Sequence, residues 1–438
     1  MPLHDDEMNR RREKREAQRK KQQAEAKRLK ITLILAAVVL ALCAAGIVFL
    51  TSRFGGGEQT AAVETRPTEK PTEATQPTSL AEKGTKTTIH IKAAGDLNVT
   101  DSVINAGVAV GGYDYTRAFL DVCGVLSDAD LTVINLEGNI CGEPYGSATI
   151  SAPRELLEGL RSAGVDLIQM ANSCTINNGL IGLTSTLQSI RAAGMEPVGA
   201  FASAAEFQQS KGYTITEVQG IKVAFVAFTK GLGGRGMPTG NENLVNLLYE
   251  DYADLYDKVD KDGITRILKD VAAEKPDITI ALLHWGSEYN DEISDTQKSI
   301  VSLMKKQGVD VILGTHPHTV QSIVYEEGQG TLVAYSLGDF FGDASRGGTN
   351  YSIILDVEIT KDTSTGVTKV TDYSYTPIYT VTEGESADGY RRVVRIDKAV
   401  EAWEDNYLDK VTETAKDAMV YAQQRIGERI LPPKEDKK

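Results

Sequence analysis

The chain has 438 residues, 41% of them hydrophobic, with four cysteines and a formal net charge of −14 at pH 7. That acidity argues against nucleic acid as a partner and offers no general attraction to a polyanion. Four cysteines are too few for a disulfide framework, and with Cys43 in an apolar run the remaining Cys123, Cys141 and Cys174 leave at least one thiol unpaired in a monomer.

Residues 1–30 form a basic tail, with 11 Lys and Arg against 6 Asp and Glu. Residues 31–50 (ITLILAAVVLALCAAGIVFL) follow as a 20-residue stretch without a charge. At ~1.5 Å per residue this spans the roughly 30 Å hydrocarbon core as one transmembrane helix. The basic flank predicts a cytoplasmic N-terminus and an extracellular main domain, hence a single-pass protein of the cell membrane. A cleaved signal peptide is the rival reading, because Ala44, Ala45 and Gly46 lie within the stretch. The length of the run and of the segment before it favours a retained anchor. Residues 51–86 are rich in Thr, Pro and Glu with almost no aliphatic content, which makes them an extracellular linker. At ~3 Å per residue the linker reaches on the order of 100 Å from the bilayer.

Five short apolar runs in the remaining 350 or so residues end in polar clusters. IHIKAAGD ends at Asp96, ADLTVINLEGN contains Glu137, VDLIQMANSC ends at Cys174, DITIALLHWGSE contains His284, and VDVILGTHPH ends at His318. Each has the length of a buried strand, and helical sequence lies between several of them. This predicts an α/β fold whose ligand site lies beyond the carboxyl ends of its strands. His316 and His318, two residues apart on an extended backbone, would point to the same side. With His284, Asp96 and Glu137 they form a donor set suited to Zn, Mn or Fe. Asp310 and Glu288 are candidates for the partners that fix the imidazole tautomers. The tail, residues 396–430, reads as a helix with Val400, Trp403, Tyr407 and Val411 at helical spacing, closed by Pro432-Pro433.

In this order, GDLNVT, NLEG, SAPRELLEGLRSAGVDLIQMAN, HWGSEY, GVDVILGTHPHTVQ and YSLGDF resemble the CapA family of poly-γ-glutamate capsule proteins over about residues 88–380. The resemblance implies a calcineurin-like metallophosphatase domain over residues 87–385, a four-layer sandwich of two mixed sheets flanked by helices. A C-terminal helical extension, residues 386–438, would follow. It also implies one or two divalent metal ions and a role on an anionic envelope polymer or with the machinery that makes it. By motif position, Asp96, Glu137, His284, His316 and His318 match the family's metal-site residues.

The chain departs from the family pattern at two places. Where the family reads Asn-Asn-His and then an Asp three residues on, this sequence has Asn172, Ser173, Cys174 and Asn177; where it reads Ser-Leu-Gly-Asn-Phe, Asp339 replaces the Asn. Asn172 is then the candidate for the vacated ligand position, with Cys174 or Asp339 as the groups that handle protons. Three functions stay open: a metal-dependent phosphoesterase-like hydrolase or transferase, a catalytically degenerate polymer-binding or assembly protein on the same fold, and a thiol enzyme using Cys174. An anionic polymer would in each case require a local basic patch, for which Arg154, Arg161 and Arg346 are candidates.

Overall fold

The computed structural model describes residues 85–401 and 411–431. The chain enters on β1 (Lys86–Asn98), helix α1 (Asp101–Ala106), a small hairpin of β2 (Val108–Ala109) and β3 (Gly112–Tyr113), and α2 (Thr116–Ser127). Then come β4 (Leu131–Glu137), α3 (Glu155–Ser162), β5 (Leu167–Gln169), α4 (Gly179–Ala192), β6 (Glu196–Val198) and α5 (Ala204–Ser210). A second group follows: β7 (Thr214–Val218), β8 (Ile221–Thr229), α6 (Lys261–Ala273), β9 (Ile278–His284), α7 (Asp295–Lys306), β10 (Val311–Thr315), β11 (Ile323–Glu326) and β12 (Thr331–Ala334). The chain then returns through β13 (Asp339–Phe341), β14 (Tyr351–Asp362), β15 (Val367–Val381), β16 (Arg392–Arg395), α8 (Ile396–Glu401) and α9 (Glu413–Arg429).

These strands make two large mixed sheets. The first has the order β16-β15-β14-β1-β4-β5-β6, with β13 beside the end of β1; the second runs β11-β12-β10-β9-β8-β7. In the first, β1, β4, β5 and β6 are parallel and the β14–β16 meander is antiparallel. In the second, β8, β9, β10 and β12 are parallel and β7 and β11 are antiparallel edges. This is the α/β architecture of two mixed sheets with flanking helices that the sequence led us to expect.

The strand period of two shows how the layers stack. On β8, Val223, Phe225 and Ala227 join the core shared with the first sheet, whereas Ala224, Val226 and Phe228 pack with Ile264, Ile267 and Val271 of α6 and with Ile300 and Met304 of α7. Both faces are therefore buried, which is why such parallel strands read as unbroken apolar runs. Helix α7 starts at a capping box between Ser294 and Gln297, and α6 at Asp260, whose carboxylate accepts the Gly263 N–H.

Two expectations need correction. Strand β16 belongs to the first sheet, so the domain runs past residue 385 and starts at Lys86, one residue inside the expected linker. The expected single tail helix is two: α8, and α9 with Ala415, Met419, Ala422 and Ile426 buried at helical spacing. Val411 is not helical but bridges Ser386, because its backbone completes a short antiparallel pairing; Trp403 and Tyr407 lie outside the described residues. The sequence left open whether Cys123 and Cys141 pair; they do not, for the Cys123 thiol donates to Leu120 O and Cys141 Sγ lies 3.3 Å from Ser151 Oγ. Among the described residues no helix is long and apolar enough to cross a membrane. The basic tail, the 31–50 anchor and most of the linker lie outside the described residues.

Candidate metal centre

The parallel strands of both sheets end at one place. Asp96 near the end of β1, Glu137 at the end of β4, His284 at the end of β9, and His316 and His318 just after β10 are all buried there, at 0–6% exposure. Asp339, first residue of β13, sits opposite Asp96 in a parallel pairing.

Asp96 is the hub. Its Oδ1 accepts the Asn135 amide at 2.6 Å, its Oδ2 accepts the His316 backbone N–H at 2.9 Å, and His318 Nδ1 lies 3.5 Å from the same oxygen. The two histidines converge, but not through extended backbone: they lie in the turn after β10, with φ of +90° at His316 and +59° at His318. Such backbone costs of order 1–3 kcal/mol per residue and persists where the surroundings enforce it, commonly at functional sites. The turn lets His316 pack on His284, with ring centroids 4.5 Å apart. His318 Nδ1 reaches Asp339 Oδ1 at 2.8 Å.

Three sets of donors have all their ligand atoms within 4.8 Å of one another: Asp96, Glu137 and His284; Asp96, His318 and Asp339; and Glu288, His316 and His318. Asp96 is common to two of them. Glu137 Oε1, His284 Nε2 and His316 Nδ1 are buried without a hydrogen-bond partner. Buried lone pairs are normally satisfied, and two imidazole nitrogens plus a carboxylate oxygen left bare on one cluster are the donors a divalent metal takes. The residues present therefore fit a metal.

The electrostatics agree. Burial, reinforced by the neighbouring imidazoles of His316 and His318 and by the Lys230 charge, holds His284 well below the usual imidazole range, and burial with Lys230 and His318 does the same to His316. Both are neutral and carry a free lone pair. Burial raises Asp96 against the opposing charge of His318. Burial and then the charge of Asp96 push Glu137 up to about 8. Burial also raises Asp339, to about 6, despite the His318 charge. For His318 burial acts downward, but Asp339, Glu137 and Asp96 outweigh it and raise the imidazole to about 11. Carboxylates crowded without a cation thus retain protons that a metal would displace.

Two of the expected site residues have other work. Asn172 Oδ1 accepts the Cys174 N–H at 3.0 Å, and its amide donates to Asn135 Oδ1 and Leu136 O, so its oxygen is committed within the loop and not presented to the cluster. Cys174 Sγ lies 3.7 Å from Glu137 Oε2, and burial followed by the Glu137 charge drives its thiol far above the usual range. It is held as a thiol, which argues against thiolate chemistry. Ser173 Oγ donates to Glu137 Oε2 at 3.0 Å. Asp310 is absent from the site, because it sits before β10 and accepts the Thr279 N–H at the opposite end of the sheet. Glu288, exposed, does reach the His316–His318 side.

Sequence reasoning missed Asn135, whose amide binds Asp96 and lies 3.4 Å from His284 Nδ1. It stands two residues before Glu137 on one strand, so the period of two placed it on the same face. Tyr289 was also missed: its ring stacks on His318 at 5.3 Å and also carries the Arg346 guanidinium, 4.2 Å from its centroid. Of the candidate arginines, Arg154 pairs with Glu158 and Arg161 with Asp166, while Arg346 lines a cavity of about 340 Å³ together with Glu137, Cys174, Tyr289, His318 and Asp339.

Comparison with known proteins bears on the same strand ends. A family model described as bacterial capsule synthesis protein PGA_cap matches residues 90–344, more than half of the chain. The chain is 27% identical over 267 residues to the capsule biosynthesis protein CapA of Bacillus anthracis, covering 59% of this chain and 61% of that protein. It is also 27% identical over 218 residues to the PGA biosynthesis protein CapA of Bacillus subtilis (strain 168), covering 50% and 53%. The chain thus spans between about half and three fifths of the length of these curated relatives. Among solved structures it is similar to the calcineurin-like phosphoesterase YfkN from Bacillus subtilis, with a TM-score of 0.43 and 15% identity over 78% of this chain and 99% of that one.

Proposed function

The chain belongs to the bacterial capsule synthesis protein PGA_cap family, and on that premise we propose that it is a membrane-anchored, extracellular protein of envelope-polymer biosynthesis whose buried cluster is a divalent-metal site for a hydrolase or transferase reaction. The carrying observation is the trio of bare buried ligand atoms, Glu137 Oε1, His284 Nε2 and His316 Nδ1. Asp96, Glu137, His284, His316 and His318 would hold Mn, Fe or Zn, as one ion or two. Once bound, the metal would supply Lewis acidity toward a phosphoryl or acyl oxygen.

The chain's own residues supply the rest. Asp339 holds the proton on His318 Nδ1 and fixes that ring, the arrangement that commonly orients a metal-site imidazole. Tyr289 stacks on the same ring. Asn135 ties Asp96 on β1 to Asn172 in the loop after β5, so the carboxylate keeps its position across strands. The anchor is residues 31–50, supported by their unbroken apolar length and the basic flank before them.

A second reading, a polymer-binding or assembly protein without catalysis, draws on one observation: neither Asn172 nor Cys174 offers the cluster a free ligand or a readily lost proton. Elemental analysis of the purified chain beside a His316→Ala/His318→Ala double variant separates the two. Near-stoichiometric Mn, Fe or Zn that disappears in the variant supports the metal site and opens a phosphoesterase and amidase screen. A folded wild-type protein that takes up no metal after soaking with each ion overturns it.

A further inference from the structure

The family match ends at residue 344, yet the last helix of the chain, α9 (Glu413–Arg429), reaches back to the rim of the cluster. Its inner face, Ala415, Met419, Ala422 and Ile426, is buried at helical spacing and seats it on β14 and β15. Its end is pinned to the second sheet, where the Ile323 N–H donates to Ile430 O at 2.9 Å and Ser322 Oγ donates to Arg429 O at 3.3 Å. These anchors place the Arg429 side chain, which is largely buried, at 13% exposure. Its Nη2 donates to Asp291 Oδ2. A methyl group at Gly348 would lie 3.1 Å from its Nη1, and the centre of the Tyr351 ring is 5.6 Å from the guanidinium carbon.

Asp291 and Gly348 belong to two loops that wall the cavity of about 340 Å³. Asp291 lies in the loop after β9, with Glu288, which shares a donor set with His316 and His318, and with Tyr289, whose ring stacks on His318. Gly348 lies in the loop after β13, with Arg346, which stacks on Tyr289. The first loop is exposed from Ser287 to Glu292, so side-chain burial does little to hold it. Pro317 O accepts its Tyr289 N–H at 2.8 Å, and Gln321 Nε2 donates to Asn290 O at 2.8 Å and to Glu292 O at 3.2 Å. The Arg429–Asp291 ion pair ties it from a different element. Arg429 is a poor choice for stability alone, because its Nε and Nη1 are buried without a hydrogen-bond partner. An apolar side chain of similar volume usually stabilises as well or better. It could not hold Asp291.

We propose that Arg429 is a positioning residue for this cavity: from the C-terminal helix it holds the loop of Glu288 and Tyr289 against the loop of Arg346. Glu288 is exposed, so its place beside His316 and His318 depends on how that loop is held. The consequence for metal rests on the reading of the cluster as a metal site, whereas the clamp on the loop does not. The C-terminal helix is then a working part of the site, although it lies outside the matched part of the chain.

The test is hydrogen exchange read by mass spectrometry on the detergent-solubilised full chain. The same preparations are titrated with Mn²⁺, Fe²⁺ or Zn²⁺ alone, whichever the wild type takes up. Arg429→Met, which fills similar space without the charge, should leave Tm nearly unchanged while the amides of residues 286–294 exchange about tenfold faster. Asp291→Asn reaches the same contact from the exposed loop and spares the helix; it should do the same, and the double variant should add nothing. Arg425→Met removes a charge one turn earlier, where the partner is Glu428 on the same helix, and should leave the loop as in the wild type. Metal affinity should fall about tenfold in Arg429→Met and in Asp291→Asn, and neither should weaken it further in a Glu288→Gln background. Unchanged exchange over residues 286–294 in both single variants overturns the inference. So does a general loss of protection with a fall in Tm, the mark of a merely structural contact. Faster exchange with wild-type metal affinity overturns the link to Glu288. A wild-type protein that takes up none of the three ions removes the metal reading, and the exchange comparison then decides the clamp by itself.

Discussion

Gly95→Ala should empty the proposed metal site through the backbone alone. A Cβ on Gly95 would lie 1.7 Å from Gly338 O and 2.8 Å from its carbonyl carbon, both main-chain atoms with no rotamer in which to escape. Carbon contacts settle at roughly 3.5 Å, so β1 and the start of β13 must part by roughly 1.5–2 Å. That movement breaks the Asp96 N–H bond to Gly338 O, 3.0 Å in the wild type, and separates Asp96 from its register partner Asp339. Overpacking costs about 1–3 kcal/mol and the lost buried hydrogen bond about 1 more. Spread over roughly 350 residues at about 2.1 cal/mol/K each, the sum lowers Tm by about 3–5 °C. The effect on metal should be out of proportion to that loss, because ligand distances tolerate only about ±0.2 Å and displacing supporting partners costs about 10–100-fold in affinity. Differential scanning fluorimetry and elemental analysis on one preparation read both quantities. Gly328→Ala is the control, since a Cβ there meets nothing within 4 Å. Full metal occupancy in a Gly95→Ala protein, whatever its Tm, would refute the claim that this strand contact sets the site.

Two further outcomes follow from the titrating groups. Burial raises the Asp310 carboxyl to about 6. The folded state therefore holds a proton that the unfolded state has lost from about pH 4 upward, and stability falls as pH rises from about 4 to 6. Asp310→Asn retains an oxygen for the Thr279 N–H and should stabilise by about 1 kcal/mol at pH 7.5, half or less of the full two-unit value because the group is partly exposed. The gain should vanish near pH 4 in urea titrations; a gain independent of pH contradicts the burial argument. Cys174, kept as a thiol by burial and by Glu137, should react with iodoacetamide at pH 8 at least about tenfold more slowly in the native protein than after unfolding, since the thiolate is the reacting form. Equal site-resolved rates by mass spectrometry would show that it is an activated thiolate after all.

The strand ends were legible because a buried strand that stops on Glu137 or His284 has few other uses for such a residue. The sheets' long apolar runs gave the layers for the same reason. The positions that depended on backbone turns were not legible. His316-Pro317-His318 looked like a two-residue repeat on a strand, yet the residues converge through left-handed backbone that no side-chain pattern announces. Asp310 looked close to His316 in sequence, but a strand of five residues separates it from the site end. Strand β8 went unremarked because it ends in Thr229 and Lys230, with neither acid nor imidazole to mark it. Tyr289 and Arg346 come from separate loops and meet only in three dimensions.

The departures from the family pattern gain a physical sense when taken together. At position 174 an imidazole is replaced by a thiol that burial keeps protonated, so this wall has lost a group able to give up a proton near neutrality. At position 339 an amide is replaced by a carboxylate 2.8 Å from His318 Nδ1, so the opposite wall has gained a partner that favours the charged imidazole. On the proposed reading, the His318–Asp339 pair orients a ligand, while Ser173 and Cys174 serve to position Glu137 by hydrogen bonding to its Oε2. Asp339→Asn, which restores the family's residue, would then leave the fold and the cluster in place but return His318 toward an ordinary imidazole.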